Sequence, residues 1–383
     1  LKDAFLRKGL LVLQFTFSIV LITGTLVIQR QLNYIQHADP GYNRSQVLAV
    51  NMFFIRQRSK AESATLTESI KQELLSHTGI SGVTVANGSI VHIQSYSSGN
   101  LDWDGRDTAI RAQVSQLSAD PDYQRVMQLS MAQGRWFDDR LPLDKQNFIL
   151  NETAVKTFNI TDPVIGHVFR FHKDTGTLIG IVKDFHFASL HDKIQPLVIY
   201  NNQSARGTFF IRTEPGKAAQ ALAVARDIVK RYTPEKPFDY SFLDDEFDSL
   251  YKNDQKVSTL ILLFSAIAIV ISCLGLLALA AFTAQQRIKE IGIRKVLGAT
   301  VPHIVALLSR DVIRLVVLAI FIATPIAGWA MHKWLDNFAY HIPLSVWFFV
   351  AGGLLALLVA IGTVISQSLK AATANPVDNL RTE

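Results

Sequence analysis

The residues best suited to bind a metal ion lie together in DFHFASLHD, residues 184–192. Asp184, His186, His191 and Asp192 offer the carboxylate and imidazole groups that zinc takes as ligands in proteins. Alternation places Asp184 and His186 on one face of a strand predicted over 177–187, while His191 follows a turn. Because zinc sites need three or four converging ligands, we favour a structural strand and turn over a metal site.

A second group of candidate residues is the acidic run DDEFD at 244–248. Neighbouring carboxylates can act as general acid and base in an enzyme. The same run fits a solvated helix start, where acidic side chains interact favourably with the positive end of the helix dipole. The sequence contains neither a G-x-S-x-G motif nor a G-x-x-x-x-G-K-[ST] phosphate loop. We therefore favour the helix start and expect no enzymatic activity from this chain.

The composition favours a membrane protein. Hydrophobic residues make up 49% of the chain, and the mean hydropathy is +0.21. The net charge of +6 is spread along the chain, which argues against a nucleic-acid partner and fits lipid headgroups or an acidic protein surface. The single cysteine, Cys273, allows no disulfide within the chain.

Four segments are long and apolar enough to cross a bilayer as helices, which requires about 20 residues each. They are 9–28, 258–281, 312–330 and 346–365. In the last one, Gly352, Ala356 and Ala360 recur every four residues, a stripe along which another helix can approach closely. Gly and Ala are also common in membrane helices in general, so the stripe has this second interpretation.

The segment between the second and third spans, RIKEIGIRKVLGAT at 287–300, is unusually charged. As a helix over 284–298 it would place Arg287, Glu290 and Arg294 on one ridge with isoleucines on both flanks. Such a helix has two neighbours, for example its own membrane bundle and another protein. Gly298 is typical of a helix end, and Thr300 is typical of the N-cap of the next helix. The alternative is a solvated loop that carries positive charge because it is cytoplasmic.

The distribution of Lys and Arg predicts the orientation in the membrane. Ten of them lie in the N-terminal lead-in, in the segment between spans two and three, and in the C-terminal tail, whereas the segment between spans three and four has only Lys333. We therefore expect both termini and residues 282–311 in the cytoplasm, and residues 29–257 outside. The ten residues are Lys2, Arg7, Lys8, Arg287, Lys289, Arg294, Lys295, Arg310, Lys370 and Arg381.

The predicted outer segment has the pattern of an α+β domain. Its first part, 29–86, and its last part, 201–257, each have the order strand, helix, strand, and we interpret them as two βαβ units in one layer. Residues 87–200 form a strand-rich insert between them, in which Asn151 is the predicted cap of a short helix. The predicted βαβ elements are 47–52, 60–76 and 82–86, then 207–212, 217–232 and 238–243; the insert strands are 113–119, 148–151, 167–172, 177–187 and 196–200.

RIKEIGIRKVLGAT and the tail NPVDNLRTE, residues 375–383, together resemble the FtsX/MacB-type permease family of ABC transporters. Looser similarities are QFTFSIVLITGTLVI at 14–28, DPDY at 120–123 and VKDFHFASLHDKIQPLVIY at 182–200. The resemblance covers nearly the whole chain and is strongest over 258–383. It implies a lead-in and first span at 1–28, a MacB-like periplasmic core domain at 29–257, and an FtsX-like permease domain with three further spans at 258–383.

The resemblance also implies a role for the charged segment. In that family the helix after the second span docks onto an ATP-binding subunit, and closure of the ATPase dimer moves the outer domain, which is called mechanotransmission. The segment 284–298 would then be the coupling helix, with its charges as docking groups and its isoleucines as packed contacts. The implied docking residues are Arg287, Ile288, Lys289, Glu290, Ile291, Gly292, Ile293, Arg294, Lys295 and Gly298.

The expected function is that of the membrane subunit of an ABC transporter that exports or extracts a lipoprotein, peptide or drug-like substrate. The alternative is a regulator of the same build that activates a cell-wall hydrolase or relays a signal. Expected partners are a cytoplasmic ATPase that binds the ATP, a second permease unit, membrane lipids, and periplasmic or outer-membrane proteins; no cofactor is expected in the chain itself. We expect it in the inner membrane, as one half of a longer two-unit permease.

Overall fold

The computed structural model describes residues 2–93, 96–98, 101–106, 113–202, 207–286, 294 and 300–373. The chain divides into two compact units. The helical unit comprises Leu1–His37 and Asn253–Glu383, and the sheet unit comprises Ala38–Lys252.

The described elements are named here in chain order. They are α1 (Lys2–His37), β1 (Val47–Asn51), α2 (Lys60–Leu75), β2 (Ile80–Ala86), β3 (Tyr96–Ser98), β4 (Leu101–Trp103), β5 (Gln113–Ser118), α3 (Tyr123–Met127), β6 (Met131–Gly134), β7 (Phe148–Asn151), α4 (Glu152–Thr157), β8 (Val168–Phe171), β9 (Asp174–Val182), β10 (Leu197–Tyr200), β11 (Thr208–Thr213), α5 (Ala218–Tyr232), β12 (Tyr240–Phe242), α6 (Leu243–Ser249), α7 (Lys252–Gln286), α8 (Val301–Leu335) and α9 (Val346–Thr373). Short 3₁₀ turns cover Phe53–Gln57 and Pro142–Lys145.

In the helical unit, α8 packs against both α1 and α9. Val316, Ala319 and Ala323 of α8 are completely buried. Three stretches of the described helices are long and apolar enough to cross a membrane, namely Leu6–His37, Lys252–Thr283 and Val346–Gln367. The predicted span 312–330 lies in α8, which is not one of these three, so the count of four spans stays a prediction.

The first sheet of the sheet unit has the strand order β12-β1-β11-β2, with all neighbours antiparallel. Both β1 and β2 are antiparallel to β11, so they are parallel to each other without being adjacent. The same relation holds for β11 and β12, which flank β1. The two strand–helix–strand segments therefore interleave as split βαβ units instead of pairing their own strands. Apolar residues of α2 and α5 form the core with this sheet, among them Ile70, Leu74, Ala221, Ala225 and Ile228.

Local signals in the sequence set the starts of two helices. The Ser59 hydroxyl accepts a hydrogen bond from the Glu62 amide, and the Glu62 carboxylate accepts one from the Ser59 amide at 3.1 Å, a capping box at the start of α2. Asn151 caps α4 as predicted, because its side chain accepts a hydrogen bond from the Ala154 amide at 2.9 Å. Both caps satisfy amides that have no partner inside the helix.

The insert forms a mixed eight-stranded sheet with the order β3-β5-β10-β7-β9-β8-β4, and β6 also pairs with β9. Strand β9 joins the parts of this sheet. Its first half pairs with β8, and its second half pairs with β7 on one side and β6 on the other. Stacked aromatic rings pack in the core of this sheet. The ring centre of Trp103 lies 4.8 Å from that of Phe158 and 6.5 Å from that of Phe169.

The predicted strand 177–187 is wrong at its C-terminal end, because β9 stops at Val182. The alternation that suggested a strand is real, since Phe185 and Phe187 are buried while Asp184 and His186 are partly exposed. However, residues 183–187 take part in no strand pairing. Alternate burial arises wherever an extended segment lies on a core, and a strand also needs a neighbour for its backbone hydrogen bonds.

A buried ionic joint ties α2 to the segment that follows β5. The Lys71 amine donates to Asp120 at 2.7 Å and to Asp122 at 2.8 Å, and the Thr84 hydroxyl also donates to Asp120. Only 7% of the Lys71 side chain and 4% of the Asp120 side chain are exposed. Burial alone would lower the pKa of Lys71, but the two carboxylates outweigh burial and raise this pKa above its usual value. The charges are therefore retained inside the unit as a hydrogen-bonded group.

Replacing Lys71 with Met should lower the free energy of unfolding of the sheet unit by about 3–5 kcal/mol, because Asp120 stays buried without its cation. The measurement is denaturant-dependent amide exchange on the full chain in detergent. Lys230→Met, at an exposed site of α5, is the control and should cost much less. Equal losses of unfolding free energy in Lys71→Met and Lys230→Met would contradict a buried joint.

Arg125 and Lys71 hold the pKa of Asp122 below 3.8 although burial opposes this. The stabilisation from Asp122 should be complete above pH 3.8 and fade as the pH falls through the lower folded pKa.

Candidate functional site

The residues that the sequence offers as metal ligands do not converge. The Asp184 carboxylate accepts hydrogen bonds from the amide and the hydroxyl of Thr153 at 2.9 and 2.8 Å, at the start of α4. Burial lowers the pKa of His186, against the opposing effect of nearby Asp184. His191 and Asp192 lie in the turn beyond it. Among the described residues, no three His, Cys, Asp or Glu side chains are placed to share a metal ion.

The acidic run 244–248 lies at the start of α6 as predicted, but the expectation that it is merely solvated is wrong for two carboxylates. Asp244 pairs with the Arg44 guanidinium at 3.2 Å. Glu246 accepts hydrogen bonds from the hydroxyls of Ser89 and Ser241. Ser241 is five residues from Glu246, whereas Arg44 and Ser89 come from distant parts of the chain, so no local pattern indicates these two partners.

Most of the predicted docking segment lies outside the described residues, which include only Arg294 of the stretch 287–298. Arg294 is helical and half-buried. Before the segment, α7 runs to Gln286. After it, Thr300 is the N-cap residue of α8 as predicted, although its side chain makes no capping hydrogen bond, and Pro302 lies in the first turn. The docking residues outside the described part are Arg287, Ile288, Lys289, Glu290, Ile291, Gly292, Ile293, Lys295 and Gly298.

The helix that leads into this segment, α7, lies antiparallel to α1. Near the docking segment, the Arg7 guanidinium lies over the Phe282 ring at 4.4 Å, an attractive arrangement of a cation on an aromatic face. Farther along, the hydroxyls of Ser18 and Ser272 are 3.0 Å apart. The hydroxyls of Thr25 and Ser265 are also 3.0 Å apart. Ser18 and Thr25 of α1 therefore face α7.

The small-residue stripe of α9 lies against α1 and α8. A Cβ built on Gly352 would be 2.5 Å from the Thr23 hydroxyl oxygen, so the absence of a side chain allows this approach. Ala356 and Ala360 are 3% and 1% exposed and belong to one buried cluster with residues of α1 and α8, including Phe15 and Val316.

A positioning residue that sequence reasoning missed is Gln31. Its side chain is fully buried, donates to the Tyr340 carbonyl at 3.0 Å and accepts from the Ile342 amide at 2.9 Å. One amide thus fixes the connection between α8 and α9 to the end of α1. A glutamine just beyond an apolar run is also common in exposed positions, and no spacing rule singles it out.

Contacts with neighbouring helices hold α1 within the helical unit. The contacts of α1 with α7, α8 and α9 run along the helix, from Arg7 near one end to Gln31 near the other.

Comparison with known families gives two matches that together follow most of the chain. Residues 16–227 match the model of the MacB-like periplasmic core domain, and residues 262–376 match the model of the FtsX-like permease C-terminal region. The first match alone spans more than half of the 383 residues.

Individual relatives are distant. The macrolide export ATP-binding/permease protein MacB of Chromobacterium violaceum is 21% identical over 196 residues, which are 49% of this chain and 30% of that protein. The periplasmic region of MacB from Actinobacillus actinomycetemcomitans is 16% identical, with a TM-score of 0.37, and the match covers 54% of this chain and 94% of that one. The extracellular domain of the noncanonic ABC-type transporter YknZ from Gram-positive bacteria is 14% identical, with a TM-score of 0.35, and the match covers 45% of this chain and 87% of that one.

Replacing Gly352 with Ala should lower the thermal stability of the helical unit, because the new methyl group meets the Thr23 oxygen; overpacking of this kind costs about 1–3 kcal/mol. Thr23→Ala in the same chain should restore most of the loss, since the built Cβ is an ordinary 3.6 Å from the Thr23 Cβ. Gly362→Ala is the matched control on α9, where a Cβ meets nothing within 4 Å. Thermal unfolding in detergent measures all four chains, and a Gly352→Ala chain as stable as the control would contradict the close approach.

Proposed function

Because the chain belongs to the family of FtsX-like permeases with a MacB-like periplasmic core domain, we propose that it is the permease subunit of an ABC transporter whose cytoplasmic ATPase partner drives movement of the sheet unit. The observation that carries the proposal is that the two family models cover residues 16–227 and 262–376, and so include both units. The substrate class proposed is a lipoprotein, a peptide or a drug-like molecule, which is exported or extracted from the membrane.

The curated relative supports the partner. It is named as an ATP-binding and permease protein for macrolide export, and the present chain spans 30% of its length. We assign ATP binding to a separate or linked ATPase and not to these 383 residues. Macrolide export is a property of that relative, and the cargo of this chain is a separate question.

The length of the helices supports mechanotransmission. With 36 and 35 residues, α1 and α7 rise about 54 and 52 Å, whereas a hydrocarbon core is about 30 Å thick. Each helix therefore continues well beyond the bilayer without a break. A continuous helix transmits movement over that distance because its backbone hydrogen bonds keep it stiff.

The proposed point of contact with the ATPase is the segment 284–298. It begins in the last turn of α7 and continues beyond it along the chain, and a helix of this sequence would place its charges on one ridge with isoleucines on both flanks. In this proposal Arg287, Glu290 and Arg294 form the ionic ridge on which the ATPase docks, and Gly298 forms the turn into α8.

The proposed location is the inner membrane, with four crossings that include α8, the sheet unit outside and both termini in the cytoplasm. The Lys and Arg distribution and the family's periplasmic domain support this orientation. Large apolar side chains of α7 are exposed in the single chain, including Leu260, Leu263 and Phe264. We assign this face to lipid and to a second permease unit; periplasmic or outer-membrane proteins are further proposed partners of the sheet unit.

A topology test uses two exposed positions, Lys173 in the turn between β8 and β9 and Thr300 at the start of α8. In a Cys273→Ser chain, Lys173→Cys should react with an impermeant maleimide on intact spheroplasts, whereas Thr300→Cys should react only after permeabilisation. Both should react in detergent, which controls for accessibility. Equal labelling on intact spheroplasts would contradict the proposed orientation.

The docking test reverses two charges together, Glu290→Arg with Arg294→Glu. If docking buries these groups, lost charge pairs should weaken binding of the ATPase by about 2–5 kcal/mol, and by much less if they lie at a rim. Copurification of the ATPase and the ATP hydrolysis rate of the complex measure the effect. Gly298→Val should give a related defect, because glycine suits the left-handed conformation common at helix ends.

The matched control is Asp138→Arg with Arg140→Asp, which reverses an exposed ion pair of the sheet unit without changing the net charge. This chain should copurify with the ATPase as the wild type does. If both double reversals leave assembly and hydrolysis intact, the segment 284–298 is a solvated loop and not a docking helix.

A further inference from the structure

The segment that follows α1 is fixed to the first sheet by one arginine of β11. The Arg212 guanidinium donates to the carbonyls of Asn43, Ser45 and Val126 at 2.7, 2.9 and 2.7 Å. Burial lowers the pKa of this guanidinium, and three carbonyl oxygens replace the water that it loses. Residues 43–45 are therefore hydrogen-bonded to β11 within the sheet unit.

The segment that precedes α7 is fixed to the same body by α6 and the residues after it. Leu243 and Phe247 of α6 are buried, and Glu246 accepts hydrogen bonds from Ser89 and Ser241. Tyr251 is 2% exposed, and its hydroxyl accepts a hydrogen bond from the Leu190 amide at 2.9 Å. These bonds attach residues 243–251 to Ser89, Ser241 and Leu190 of the sheet unit.

Arg44 joins the two segments. Its guanidinium pairs with Asp244 at 3.2 Å and lies over the Phe247 ring with its central carbon 3.7 Å from the ring centre. The Arg44 side chain is 18% exposed and that of Asp244 is 49% exposed, so water screens the contact with the buried Phe247 ring less than it screens the ion pair. A planar guanidinium can stack on an aromatic ring and bind a carboxylate at once, whereas a lysine ammonium cannot reproduce this geometry.

These contacts lie close to the two points at which the chain passes between the units. The chain leaves the helical unit after His37, and Arg44 lies seven residues later. It returns after Lys252, and Tyr251 is the residue before that point. The contacts of Arg44, Asp244, Phe247 and Tyr251, named here the α6 anchor, thus lie at both passages between the units.

We propose that the α6 anchor makes the two passages move as one, and that Arg44 is the positioning residue through which a displacement of α1 and α7 reaches the sheet unit. The inference rests on the proposed function, because it assumes that an ATPase drives those helices. The proposed role of Arg44 differs from a purely structural role in one respect. A purely structural Arg44 would change stability, whereas the proposed role also changes how far ATP-driven movement propagates.

The first measurement needs no ATPase. Nitroxide labels at Ser45→Cys and Asp245→Cys, both exposed positions, report the distance between the two segments in a full-length Cys273→Ser chain. The wild-type anchor should give one narrow distribution, and Arg44→Met should broaden it. Arg44→Lys should broaden it too, although it keeps the charge, and Tyr251→Phe should do so less because it removes only one hydroxyl. An unchanged distribution in Arg44→Met would overturn the proposal.

The second measurement uses the chain in nanodiscs with the ATPase that copurifies with it. Amide exchange with and without ATP should show changes in α1, α7 and the sheet unit for the wild type. In Arg44→Met the changes in α1 and α7 should persist, while those in residues 46–242 should fall at least about fivefold, the lower end of usual coupling between sites. Arg170→Met, which removes the exposed ion pair with Asp102, should behave as the wild type.

The outcomes separate the anchor from the proposed function. If ATP changes the exchange of the sheet unit equally in Arg44→Met and the wild type, the anchor is only structural and the proposal is overturned. If wild-type α1 and α7 show no response to ATP, the proposed function fails, and the role of Arg44 in relaying movement fails with it. In that case a broadened label distance still identifies the anchor as a structural joint. Unchanged exchange of β1 and β11 without ATP shows that the variant sheet is folded.

Discussion

A bilayer removes the hydrophobic effect as a force between apolar helices, so the helical unit depends on small residues and hydroxyl pairs for its packing. Gly352 has no side chain, and this lets the Thr23 oxygen approach its α-carbon. That oxygen has no conventional hydrogen-bond partner among the described residues, and a Cα–H group of glycine is a weak donor that suits it. On another side of α1, the serine and threonine hydroxyls pair with those of α7. The position of α1 is thus determined on two sides by side chains of a few atoms.

The sheet unit uses different forces for the same purpose, since water is available to it. Its interleaved sheet places each strand of one βαβ segment beside a strand of the other, so neither segment can form its sheet pairing alone. The buried Lys71 joint then connects this layer to the insert. The two βαβ segments and the insert are thereby joined within one unit.

Where the sequence patterns failed, the failure has a physical cause. Alternation over 183–187 reports burial of Phe185 and Phe187, but strand formation also needs a paired neighbour, which a one-dimensional pattern does not contain. The acidic run was interpreted from its own charges and the helix dipole, which act locally. Its partners Arg44 and Ser89 are distant along the chain, and only the fold brings them within bonding distance.

The sequence by itself determined the family, the apolar character of the long helices, the cap at Asn151, the start of α8 after Thr300, and the strand–helix–strand order of the two βαβ segments. These features follow from local composition, periodicity and short motifs, which act over a few residues. The tertiary structure alone decided which strands are neighbours, that Gly352 faces Thr23, that Gln31 holds the connection between α8 and α9, and that Arg44 bridges to α6. Each of these depends on contacts between residues far apart in the chain, and such contacts exist only once the backbone has folded.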